Sequence, residues 1–202
     1  MSKFVAPPKQ ITPHLSSRII SQINPGSISL HWAEILYTIS SIDPDILCIS
    51  ETKTKPTVIK KMHKVPGYRW IFPSNFELGF AVLIRNSLTF SVVTPLICES
   101  LLLVVSTPSE KILLATGYNR PNTTNVISLL TDAVSQFNPN NLPVVYAGDF
   151  NARHKSYDHA ENKAGKILKH RASFLETNLS SPRLFRLPAL PRSICSLPPL
   201  DF

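Results

Sequence analysis

No stretch of this 202-residue chain is apolar for long enough to cross a bilayer. The longest runs, residues 101–106 and 111–115, are strand length, against the roughly 20 residues that a spanning helix needs. A membrane partner is therefore not expected. The first ten residues are polar and carry Pro7 and Pro8 where a secretory signal has its apolar stretch, so export is not expected either. Cysteine is scarce: Cys48, Cys98 and Cys195 are an odd number without metal-type spacing, and two of them lie in or beside apolar runs. They read as buried free thiols in a reducing compartment. Acidic residues are also in deficit, 13 against 21 Lys and Arg, which gives a net charge of +8 and favours an anionic partner such as nucleic acid. With 43% hydrophobic and only 17% charged residues, the composition excludes a disordered or acidic solvating chain.

What is present is one domain's worth of alternating short apolar runs and helical stripes, with no internal repeat. Residues 1–17 contain Pro and Ser and have no period, so they read as a lead-in to a domain at 18–202. Residues 18–23 form a candidate strand before the turn signal Asn24-Pro25-Gly26. Trp32, Ile35, Leu36, Ile39 and Ile42 then fall on one stripe of a helix that Asp43-Pro44 stops. Residues 45–50 have the profile of a strand buried on both faces. Residues 68–72, 80–84, 90–93, 101–106 and 111–117 follow at hairpin-like spacing, which suggests neighbours in antiparallel sheet. Val126, Leu129, Leu130, Ala133 and Phe137 make a second stripe, residues 144–148 another strand, and residues 165–176 can form a third helix. Five prolines between Pro182 and Pro199 leave no confident strand after it. This order predicts an α/β protein with two sheets and outer helices. Trp32 and Trp70 fall in a stripe and a strand, which makes them core residues before base-stacking platforms.

Three strings carry chemistry. Gly148-Asp149-Phe150-Asn151-Ala152-Arg153-His154 follows an apolar strand. Asp149 and Asn151, two apart on extended backbone, can point the same way and hold a water and a phosphate oxygen, although Gly-Asp-x-Asn alone is also an ordinary turn. Leu47-Cys48-Ile49-Ser50-Glu51-Thr52 delivers one carboxylate at the end of a buried strand. A hard cation such as Mg²⁺ needs only one or two protein carboxylates, so Glu51 suits it, while a solvated Glu beside Lys53 and Lys55 is the plainer alternative. In Gly117-Tyr118-Asn119-Arg120-Pro121 a phenol closes a strand and can donate to a phosphate, with Asn119 or Arg120 as a further donor.

These strings in this order resemble the endonuclease/exonuclease/phosphatase superfamily, most closely the endonuclease domains of non-LTR retrotransposons, from Arg18 to Phe202. Phe80 to Arg85 after Gly79, and Asn162 to Leu168, also fit that pattern. The resemblance implies a four-layer α/β/β/α sandwich and a Mg²⁺-dependent endonuclease, with Mn²⁺ as a substitute. Its product would be nicked target DNA whose 3′ hydroxyl serves a reverse transcriptase, to which the domain would be fused or bound. An intracellular setting follows, nuclear when chromosomal DNA is the target. It further implies Glu51 as the metal ligand, Tyr118 and Asn24 as phosphate contacts, and Asp149 with Asn151 positioning the attacking water. Asp201 in Leu200-Asp201-Phe202 would orient a catalytic His.

The family's closing Ser-Asp-His element belongs beyond Asp201, where this sequence stops. The expectation is thus a C-terminally truncated domain with its last strands incomplete and with weak or no activity, since a general base typically contributes about 10²- to 10⁴-fold. Asp158-His159 is no assumed replacement, and His154 reads as a packing or DNA-contacting residue. Beyond residue 150 lie nine Lys or Arg against four acids, five of the eight net positive charges. They can track DNA phosphates, or simply solvate the surface. A phosphatase of the same superfamily and a non-catalytic nucleic-acid-binding remnant are the rival functions.

Overall fold

The computed structural model describes residues 19–74, 79–94, 99–106, 110–138, 141–153 and 161–167. The proposed lead-in, Cys98, Cys195, His154, Asp158, His159, Asp201 and the basic tail beyond 167 lie outside them. Eight strands form two four-stranded sheets. The first has the order β1 (Ile20–Ile23), β2 (Ile46–Ser50), β4 (Phe80–Arg85), β3 (Tyr68–Ile71); the second runs β5 (Thr89–Thr94), β6 (Ser100–Ser106), β7 (Lys111–Tyr118), β8 (Val144–Asp149).

Each sheet contains one parallel pair, and each pair is joined through a helix. The crossover from β1 to β2 runs through α1 (Trp32–Ile42), and that from β7 to β8 through α3 (Asn125–Phe137). Parallel strands need such a long connection, whereas an antiparallel pair can follow directly in sequence, as β3–β4, β5–β6 and β6–β7 do. In the parallel pairs both strands end on the same side of their sheet, so β1, β2, β7 and β8 bring four chain exits to one rim.

Apolar alternation sorts the strand residues into layers. Ile46, Cys48, Phe80, Val82 and Ile84 of the first sheet pack against Leu101, Leu103, Val105, Ile112 and Leu114 of the second. On the outer faces, Leu47, Ile49 and Leu83 meet Ile35 and Ile39 of α1, and Leu102, Leu113 and Ala115 meet Val126, Leu130 and Ala133 of α3. The result is the expected α/β/β/α sandwich. β2 is buried along its whole length because it faces helix on one side and sheet on the other. Each fully buried Leu, Ile or Phe contributes about 1.5–3 kcal/mol of apolar transfer energy, which makes this double-sided core the main stabilising feature.

Three expectations need correction. β4 and β5 follow one another at hairpin spacing but do not pair, since the chain crosses from one sheet to the other between Arg85 and Thr89. A short helix that the sequence pattern did not show, α2 (Pro56–Met62), follows β2, with Pro56 in its first turn, where a missing N–H costs nothing. The stripe on α1 is narrower than predicted: Ile35 and Ile39 are buried while Leu36 is 39% exposed. The helix expected over 165–176 begins at residue 163 and is described to 167. Cys48 is the buried free thiol expected, and its burial pushes its pKa up to about 12. Trp32 and Trp70 pack on the outer face of the first sheet, 6.5 Å apart between ring centroids.

Candidate functional site

The four exits converge. Asn24 follows β1, Glu51 follows β2, Tyr118 closes β7 and Asp149 closes β8 opposite it in register. The Asn24 side-chain nitrogen donates to Glu51 Oε1 at 3.0 Å and to Asp149 Oδ2 at 2.9 Å. Its orientation is fixed by its own oxygen, which accepts from the Gly26 backbone N–H at 3.1 Å. One amide nitrogen therefore holds carboxylates from both sheets, and the two oxygens lie no farther apart than those two bonds laid end to end. The Tyr118 hydroxyl donates to Glu51 Oε1 at 3.3 Å, and Ser50 Oγ, fully buried, lies 3.3 Å from Asp149 Oδ2.

The backbone is bent to make this possible. Glu51 has φ +50° and Lys53 has φ +46°, left-handed values that cost a side chain with a Cβ about 1 kcal/mol or more. The turn is held by bonds from Ile28 N–H to the Thr52 carbonyl and from Thr52 N–H to the Gly79 carbonyl. Strain of this kind persists only where neighbours over-determine it.

On the other side, asparagines fix the loops. Asn119 is fully buried; its nitrogen donates to the Thr123 carbonyl at 2.6 Å and the Phe150 carbonyl at 3.2 Å, and its oxygen accepts from Val126 N–H. Its amide is committed to the loop, which removes it from the expected phosphate donors. Asn151 sits at φ +45°, so the extended backbone ends at Asp149 and the period-two reasoning that paired the two side chains does not hold. Its side-chain nitrogen donates to the Asn119 carbonyl at 2.9 Å, and its backbone N–H donates to Asp149 Oδ1 at 3.3 Å. The turn reading and the site reading of Gly-Asp-x-Asn thus describe one feature, an Asx-type turn that aims the Asp149 carboxylate. Asn162 clamps the same loop: it donates to the Asn151 carbonyl at 2.7 Å and accepts from Arg153 and Gly165 N–H, the latter an N-cap contact. Gly165 has no substitute there, because a Cβ would collide with the Arg153 carbonyl.

Electrostatics follow from these contacts. The Asn24 hydrogen bond, opposed by partial burial and aided by Lys53, whose ammonium lies 3.6 Å from Glu51 Oε2, holds the Glu51 carboxyl below its ordinary value. Burial, reinforced by Glu51, pushes Tyr118 up to about 12, so at neutral pH it is a phenol that donates. The side-chain oxygens of Glu51 and Asp149, open to solvent through the exposed Asn24, suit a hard cation that keeps several waters; among the described residues no group of three or more His, Cys, Asp or Glu surrounds such a position.

Asn24, Glu51, Tyr118 and Asp149 are thus brought together, Asn151 adjoins them as a loop clamp, and Asp201 is outside the described residues. Ser50, Asn119 and Asn162 had no assigned structural part in the sequence reading. Ser50 was signalled only as the one polar residue closing an apolar buried strand.

Comparison with known proteins matches residues 30–193 to the Endonuclease/Exonuclease/phosphatase family. No curated protein sequence matches. Among solved structures, the endonuclease domain of TRAS1, a telomere-specific non-LTR retrotransposon, is similar with a TM-score of 0.61 at 16% identity, covering 77% of this chain and 71% of that one. A Bacteroides thetaiotaomicron protein of the same family has a TM-score of 0.55 at 13% identity, over 75% and 68%. TDP2 of D. rerio complexed with a single-strand DNA product has a TM-score of 0.51 at 17% identity, over 67% of this chain and 61% of that one.

Proposed function

Because the chain belongs to the endonuclease/exonuclease/phosphatase family, we propose that it is a Mg²⁺-dependent DNA endonuclease domain of the retrotransposon type. It would nick target DNA in the nucleus, beside a fused or associated reverse transcriptase that uses the 3′ hydroxyl. The observation that carries hydrolysis is the Asn24 nitrogen between Glu51 and Asp149, which gathers two acids from two sheets at one point. DNA as substrate is supported by the retroelement-like string Gly148 to His154 and by the likeness to the TRAS1 endonuclease domain.

Glu51, with Asp149 beside it, would hold the cation. When bound, Mg²⁺ supplies positive charge against the negative charge that builds on the phosphate oxygens. The chain's own groups do the rest. Asp149, fixed through Oδ1 by Asn151 N–H and through Oδ2 by Asn24, accepts a hydrogen bond from a water and aligns it with phosphorus. The Tyr118 hydroxyl turns its donor to a phosphate oxygen, while the Asn24 amide stays on the two carboxylates. The water oxygen bonds to phosphorus, the bond from phosphorus to the 3′ oxygen breaks, and a proton ends on that oxygen. Neither described histidine, His31 or His63, is bonded to the cluster. Proton-transfer groups contribute about 10²- to 10⁴-fold, so slow nicking is expected from the residues described.

Supercoiled plasmid incubated with the chain and Mg²⁺ should relax slowly, stay intact with EDTA, and yield nicks that a polymerase extends. Hydrolysis of a phosphomonoester without any nicking would instead mark a phosphatase, and retention of DNA without cleavage, with or without metal, a binding protein.

A further inference from the structure

Outside the cluster, the same rim holds a third acid that hydrolysis as described does not use. Glu99 immediately precedes β6, and residues two, four and six further on, Leu101, Leu103 and Val105, face the core between the sheets. By the period of two, Glu99 falls on that inner face at its edge. Its carbonyl accepts from Tyr118 N–H at 2.9 Å, and its carboxylate lies over Gly79, where any Cβ would coincide with it. The Glu99 side chain is 8% exposed, and Arg120 Nη2 stands 3.7 Å from its Oε1 while the Arg120 side chain remains 56% exposed.

A carboxylate buried to this degree is costly unless a positive group faces it. Here that group sits on the solvent side, two residues past Tyr118. A guanidinium carries five N–H donors, and the charge attraction of Glu99 at 3.7 Å draws the half-exposed Arg120 side chain toward this rim, where it can meet an anion at less entropic cost. The surrounding acids, Glu51 and Asp149, repel a polyanion, and a guanidinium on the same rim offsets that repulsion as DNA approaches.

We propose that Arg120 is a phosphate-binding arm of the DNA surface and that Glu99 is its positioning residue. This rests on the endonuclease reading. The arm would take a backbone phosphate next to the one at Tyr118, through charge and fork geometry and without reading sequence.

The test uses the 202-residue chain, a fluorescein-labelled DNA duplex and EDTA, with anisotropy recorded across a salt series. Arg120→Ala should weaken binding about tenfold and lower the slope of log K against log salt by about one, while Arg120→Lys keeps the slope. Glu99→Gln should weaken binding about threefold in the wild-type background and have no effect in the Arg120→Ala background, since a residue acting through another loses its effect with it. Simple removal of a negative charge near DNA would tighten binding instead, so tighter binding by Glu99→Gln overturns the positioning role. Duplex binding by Arg120→Ala with affinity and slope unchanged overturns the arm and leaves the endonuclease reading intact. Absence of duplex binding by the wild type at low salt overturns both. Should Glu99→Gln fail to fold, by its thermal unfolding, the Arg120→Ala and Arg120→Lys pair decides alone.

Discussion

The two ends of β2 both collect carboxylates, but in opposite ways. Before its first residue, Asp43 and Asp45 surround the Arg85 guanidinium at 2.6 and 3.3 Å, and that guanidinium also donates to the Asp43 and Pro44 carbonyls and lies 5.1 Å over the Tyr68 ring. After its last residue, Glu51 and Asp149 are gathered by a neutral amide, with the Lys53 ammonium at 3.6 Å from one of them. The first end is an ion-pair network, its acids matched by a guanidinium, that fixes the start of β2 against the end of β4. The second concentrates negative charge and strained backbone where water can reach it. Stability is the product of the one arrangement, and affinity for a cation of the other.

That contrast can be broken most severely at the second end. Glu51→Gln and Asp149→Asn should each reduce plasmid nicking by about 10²- to 10⁴-fold, with the double variant little worse than either, because groups acting on one reaction are not additive. The thermal midpoint of Glu51→Gln should fall slightly at neutral pH, since the ionised carboxylate is held by Asn24 and Lys53, and Mg²⁺ should raise the midpoint of the wild type but not of Glu51→Gln. Loss of folding in either variant would erase the distinction between the two ends.

At the first end, Arg85→Ala should lower unfolding stability by about 1–3 kcal/mol in urea titration, as carboxylates and carbonyls lose a charged donor, while nicking by the folded fraction stays at the wild-type rate. A change in rate as large as that from Glu51→Gln would mean that the network also shapes the site.

The smallest effect sharpens the comparison through pH. Asn24 is the main cause of the lowered Glu51 pKa, so Asn24→Ala should let it rise toward its ordinary 4.5. The acid limb of Mg²⁺-dependent nicking then moves to higher pH. The stability that ionised Glu51 contributes in the wild type is present above about 4.5 and lost as pH falls through the lowered value. The midpoints of the wild type and the variant should therefore converge in acid. An unshifted limb would show that Asn24 does not set the ionisation of Glu51.

Much of this was legible in the chain. The stripe at Ile35 and Ile39, the doubly buried run Ile46–Ser50, the alternation of β6 and β7 and the stop at Asp43-Pro44 are local patterns, and burial follows hydrophobic period wherever one face is core. Residues 85–89 misled, because hairpin spacing says how far apart two strands are in sequence and not whether the chain changes sheet between them. Asn151 misled for a related reason. Extended geometry was assumed to continue past Asp149, whereas contacts from Asn119 and Asn162, distant in sequence, hold that residue left-handed.

The sequence by itself determined the layers, the strand ends and which of them carry an acid, an amide or a phenol, since period and turn chemistry act over a few residues. Only the tertiary structure decided that Asn24 bridges Glu51 to Asp149, that Asn119 serves the loop and not a phosphate, and that Glu99 meets Arg120. Those partners are up to 125 residues apart, and it is the stacking of two sheets, driven by burial of their inner faces, that brings their rims together.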